Sequence, residues 1–120
     1  MSLRAYQKAA ERAENPRETE YRLFGEVTRS LMEAASTEDL QVRTVALDWN
    51  RRLWTTLAGD CSRVDNGLPI GVRAQIISLN SWVRRHSSAV MKGEAQFDDL
   101  IEINRIMMQG LEPKVPVAAN

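Results

Sequence analysis

The side chains on which a reactive site would have to be built are one histidine, one cysteine and two small groups of carboxylates. Catalysis asks for a nucleophile, a base and a group that stabilises developing charge, all facing one cleft. His86 falls in a row of apolar residues at helical spacing, which reads as a histidine serving structure rather than acid–base chemistry. Cys61 comes at the end of a helical pattern rather than the start, so no helix dipole would lower its thiol pKa. With no second cysteine and no histidine nearby in sequence, it does not form a metal site. The acids between Asp60 and Asn66 lack the ligand spacing of a calcium loop. Asp98, Asp99 and Glu102 sit where a first helical turn welcomes negative charge. Gly67 and Gly71 are too few and wrongly spaced for a phosphate loop. The expectation is therefore a protein without catalytic residues, metal or cofactor.

The elements that carry these residues are helical. A first amphipathic segment, Ser2 to Glu14, places Leu3, Tyr6, Ala9, Ala10 and Ala13 at helical intervals. Asn15-Pro16-Arg17-Glu18 starts a second helix, with Asn15 as cap, proline in the first position and Glu18 completing a capping box. Its core stripe is Tyr21, Phe24, Val27, Thr28, Leu31 and Ala35. Ser36-Thr37-Glu38-Asp39 starts a third helix, with Ser36 as cap, running to about Cys61. Asp65-Asn66-Gly67-Leu68-Pro69 is a turn, in which Asn-Gly tolerates positive φ. A fourth helix spans about Ile70 to Lys92 and stops at Gly93. A fifth covers about Phe97 to Gln109. The fold class expected is all-α: a small up-down bundle of four to five helices, forming one domain over residues 1–111. The last residues, 112–120, read as a disordered tail, since two prolines and no aromatic residue leave them little to bury.

The third of these helices carries more apolar surface than a bundle edge needs. At about 100° per residue, Val42, Val45, Ala46, Trp49, Leu53 and Leu57 make one stripe. Leu40, Leu47, Trp54 and Ala58 make another, and the two together cover over half the circumference, against the roughly 100° arc of an ordinary amphipathic helix. Either the helix is central and touched on two sides, or one stripe faces a partner. The fourth helix shows a seam of Val72, Ile76, Leu79, Val83, His86 and Val90, widened by Trp82 and Ala89. Met91, Met107 and Met108 add adaptable apolar side chains that suit either core or binding surface.

Bulk properties narrow the partner. Sixteen basic residues balance sixteen acidic ones over 120 residues. No basic stripe with interleaved aromatics marks a nucleic-acid surface, although the pairs Arg51-Arg52 and Arg84-Arg85 are local spots of charge. A lone cysteine gives no internal disulfide, and no apolar window nears the ~20 residues that span a bilayer. The expected setting is the cytoplasm, away from membranes.

Several runs resemble the FlaF family, flagellar biosynthesis regulators of alphaproteobacteria. They are Ser2-Leu3-Arg4-Ala5-Tyr6, Glu18-Thr19-Glu20-Tyr21-Arg22-Leu23-Phe24 and Ala46-Leu47-Asp48-Trp49-Asn50-Arg51-Arg52-Leu53-Trp54. Leu68-Pro69, Arg73 to Leu79, Trp82-Val83 and Ile101 to Leu111 continue the similarity, with Asn-Arg-x-Leu-Trp its most specific piece. The resemblance implies a non-enzymatic role in which flagellin accumulates and is secreted, in opposition to the translational repressor FlbT. It also implies flagellin binding as an export chaperone. It supplies no settled binding residues. Joined to the surplus apolar surface, it suggests a groove for the terminal amphipathic helices of flagellin. The candidate residues are Leu40, Leu47, Asn50 and Trp54, with Trp82 and Met91 as a second choice. The alternative partner is FlbT; a contact with flagellin message has only the arginine pairs in its favour.

Overall fold

A computed structural model describes residues 2–4 and 16–111. Over residues 16–111 four helices follow one another: α1 Pro16–Ala35, α2 Leu40–Cys61, α3 Ile70–Met91 and α4 Asp98–Leu111. No strand occurs among the described residues. Most of the segment expected as a helix over Ser2–Glu14, and the tail 112–120, lie outside them. Among the described residues no helix is long and apolar enough to cross a membrane.

The helices alternate in direction. α2 packs on α1 and α3, α4 packs along α1, and α3 meets α4 only sparsely. This is the expected up-down bundle, with short connections forcing antiparallel neighbours. One end holds the α1–α2 and α3–α4 turns. The other holds the α2–α3 turn, the start of α1 and the end of α4. Phe24, Val27, Leu31 and Ala34 of α1, Leu47 and Trp54 of α2, Val83 and Val90 of α3, and Phe97 and Leu100 fill the core.

Three helix ends and one helix start have a stop of their own. Asp39 is the N-cap of α2, its Oδ1 accepting from the backbone N–H of Gln41 (2.9 Å) and Val42 (3.3 Å). Ser36, expected in that role, instead closes α1 by donating its hydroxyl to the Glu33 carbonyl at 2.8 Å. The cap thus falls three residues later than expected, because a carboxylate directly before Leu40 reaches the free N–H groups and Ser36 does not. The end of α2 is held by Arg73, whose Nε and guanidinium NH2 donate to the Cys61 and Arg63 carbonyls, both at 2.7 Å. A cation there satisfies carbonyls that the helix leaves open. In the same turn Asn66 acts through its side chain, donating to the Asp60 carbonyl (2.9 Å) and accepting from Leu68 N–H (3.0 Å). The Asn-Gly pair does not use positive φ here. Gly93, which stops α3, does, at 75°.

Candidate apolar docking face

α2 presents two apolar flanks, and they differ in fate. On the inner one, Leu47, Asn50, Trp54, Leu57 and Cys61 alternate three- and four-residue steps and are buried. Trp54 is 0% exposed and meets Phe24 edge-on, ring centroids 5.7 Å apart. Its indole Nε1–H donates to Asn104 Oδ1 of α4 (2.9 Å), and Asn104 Nδ2–H donates to Asn50 Oδ1 (2.8 Å). This chain of bonds ties α2 to α4 across the bundle diagonal, where the two backbones do not approach. Asn50 and Asn104 are each wholly buried. Pairing amide with amide and indole offsets part of what it costs to remove these groups from water, while the Asn50 Nδ2 donor is buried without a hydrogen-bond partner.

The outer flank is open. Val42 (40% exposed), Val45 (57%) and Trp49 (38%) follow one another at three- and four-residue steps. The same row continues through Leu53, Thr56 and Asp60, and these three line a recess against α1. Thr19, Glu20, Leu23 and Phe24 form its other wall, and Leu57 completes its floor. The recess holds about 380 Å³. From Val42 to Asp60 the face runs roughly 27 Å at about 1.5 Å per residue, or about five helical turns. Its polar rim is acidic: Glu20 and Asp60 are the charged residues among those lining the recess. Behind it, burial pushes the Cys61 thiol pKa up; nearby Arg73 opposes this, and Asp60 and Glu20 add to it. The thiol is held in its neutral, unreactive form.

The six residues expected to bind a partner are therefore split. Leu47, Asn50 and Trp54 form the inner core, which corrects the expectation that their stripe was the spare one. The reason is the pairing of Asn50 and Trp54 with Asn104, a partner 50 or more residues away. Leu40 (66% exposed) and Met91 (41%) are on the surface, but on the α3 side of α2. There Thr44, one turn after Leu40, places its hydroxyl 3.9 Å from Met91 Sδ. Trp82 is half-buried and stacked on His86, centroids 4.7 Å apart. His86 Nε2–H donates to the Gln96 carbonyl at 3.0 Å, with Asp99 at 3.7 Å. That histidine fastens the α3–α4 turn. What the sequence reading passed over is the recess, because Leu23 and Leu53 gain meaning only when α1 lies beside α2.

The family model described as flagellar protein FlaF matches residues 2–111. The match spans all four helices. No curated protein matches the chain, and no solved structure does.

Proposed function

Because this chain belongs to the FlaF family of flagellar proteins, we propose that it binds flagellin and keeps it competent for export. In this reading a terminal amphipathic helix of flagellin lies along the outer flank of α2. Its apolar stripe covers Val42, Val45 and Trp49 and enters the recess at Leu23 and Leu53. Covered in this way, the helix could not pair with other flagellin chains before secretion, and flagellin would accumulate in soluble form. The protein acts by holding a segment, not by converting it. The observation that supports this reading is the exposed row from Val42 to Trp49 continuing into an apolar recess. Contiguous apolar surface on a small protein commonly marks an interaction site.

Calorimetric titration of the full chain with flagellin, and separately with FlbT, tests the proposal. Saturable flagellin binding should fall at least tenfold in Trp49→Ala while the melting temperature stays within a few degrees, an anchor tryptophan being worth about 2 kcal/mol or more. Binding of FlbT with none of flagellin would replace this reading with that of a regulator of translation. Binding of neither would reject both.

A further inference from the structure

The antiparallel helices α2 and α3 are set in register by two contacts. Near one end the Thr44 hydroxyl lies 3.9 Å from Met91 Sδ, and at the other Arg73 Nε donates to the Cys61 carbonyl at 2.7 Å. A step of seven residues returns a helix to nearly the same side, with a drift of about 20°. Seven residues inward from the first contact, Thr44 leads to Arg51 and Met91 leads to Arg84. The two arginines therefore stand at one level on the α2–α3 groove. Arg51 is half-buried and Arg84 exposed, and neither has a hydrogen bond or an ion pair among the described residues. Arg85, next to Arg84, donates to the Ser81 hydroxyl at 2.8 Å and meets no carboxylate. α3 contains no acid from Ile70 to Met91, and Asp48 on α2 is held by Arg52 at 3.0 Å. The positive charge of this groove is unmatched from within. We propose that the α2–α3 groove docks an acidic amphipathic helix of a partner protein, its carboxylates meeting Arg51 and Arg84. This surface is separate from the outer flank of α2, and the proposal does not rest on the export reading.

Charge and shape both select this partner. Arg51 has given up part of its hydration without gaining a carboxylate, so an ion pair formed there is screened less than one at open surface. The planar guanidinium takes a carboxylate through two parallel hydrogen bonds, which adds direction to the attraction. Met91 and Ile77 each stand seven residues from Arg84 and are each 41% exposed. They give apolar footing on both sides of the charge. The matching helix therefore carries one or two carboxylates at its centre and an apolar residue about two turns to either side. Nucleic acid fits less well. Phosphates make no use of Ile77 and Met91, and two arginine pairs do not extend into a basic track with aromatic residues between.

Two synthetic helical peptides of about 18 residues, titrated against the full chain by anisotropy, test this. Both carry an apolar residue about two turns to either side of the centre; the central pair is glutamate in one and glutamine in the other. The glutamate peptide should bind about tenfold more tightly at low salt, with the gap narrowing as salt rises. Arg51→Gln combined with Arg84→Gln should bring the two peptides to equal affinity. Arg84→Glu alone, at an exposed position, should do the same, and it keeps the test decisive if the double variant fails to fold. Trp49→Ala, on the outer flank, should leave the preference intact. Equal affinity in the unaltered chain, binding of neither peptide, a preference that survives Arg84→Glu, or one lost in Trp49→Ala would overturn the proposal. A single-stranded RNA oligonucleotide that binds more tightly than the glutamate peptide, and is released by Arg84→Glu, would assign the groove to nucleic acid instead. None of these results depends on flagellin. Failure of flagellin to bind a chain that still discriminates the peptides would count against the export reading alone.

Discussion

Trp49 and Trp54 lie five residues apart on one helix and serve different ends. Trp54 is enclosed by α1 and α4, with its ring against Phe24 and its N–H bonded to Asn104. Trp49 stands on the outer flank, beside Val45 and before Leu53. Five residues rotate a side chain by about 140°, enough to move it from the bundle axis to the surface. The contrast teaches that aromatic content alone does not separate core from interface. What separates them is whether the polar atom of the ring, and the polar residues on its stripe, find partners inside.

The largest effect should come from Trp54. Its truncation to alanine removes a fully buried ring and is expected to cost about 3–5 kcal/mol in chemical denaturation. A loss under about 1 kcal/mol would mean that the inner flank is not the core. Next comes Asn104→Ala, which deprives the Trp54 N–H and the Asn50 carbonyl of their partner at once. Each unsatisfied buried group costs about 1–3 kcal/mol, so a loss of about 2–4 kcal/mol is expected. Replacing Trp54 by phenylalanine in that background should recover part of it, since the orphaned N–H is then gone. Additive losses in this double-mutant cycle would break the claim that the two residues act as a unit.

How much of this the sequence discloses follows from the same residues. Helical periodicity with proline and glycine stops was enough to place four helices and the bundle, since these signals are local. The choice between the flanks of α2 was not local. Asn50 interrupts its own apolar stripe, and judged alone it looks like a residue facing solvent. Only Asn104, on the last helix, makes it a core residue. A hint was present in the three-and-four stepping of Leu47, Asn50, Trp54, Leu57 and Cys61, a pattern that tolerates one amide inside a seam. The recess gave no such hint, because it exists between two helices and its residues form no motif in either one. The cap of α2 is a smaller case: Ser36 and Asp39 both suit the role, and geometry selected Asp39.

Asp39→Ala should therefore cost about 1 kcal/mol by removing the acceptor for two backbone N–H groups, whereas Ser36→Ala should cost less. Equal losses, measured as shifts in denaturation midpoint, would return the cap to Ser36.

The smallest effect on stability is also the sharpest test of the two flanks. Val45 and Ala46 are neighbours, both apolar, yet Val45 is more than half exposed and Ala46 is wholly buried. Aspartate at 45 stays in water. Valine and aspartate have similar helix propensity, so the folding free energy should move by no more than about 0.5 kcal/mol. The same aspartate at 46 must enter the interior, where an unpaired charge is strongly disfavoured, and the chain should fail to fold at neutral pH. Binding should separate the two in the other sense: Val45→Asp remains folded and loses its partner, because a charge placed in the middle of the apolar row must be desolvated when a helix covers it. If Val45→Asp is folded and binds as before, the outer flank is bare surface, and the site of docking must be sought on the α3 side, around Leu40 and Met91.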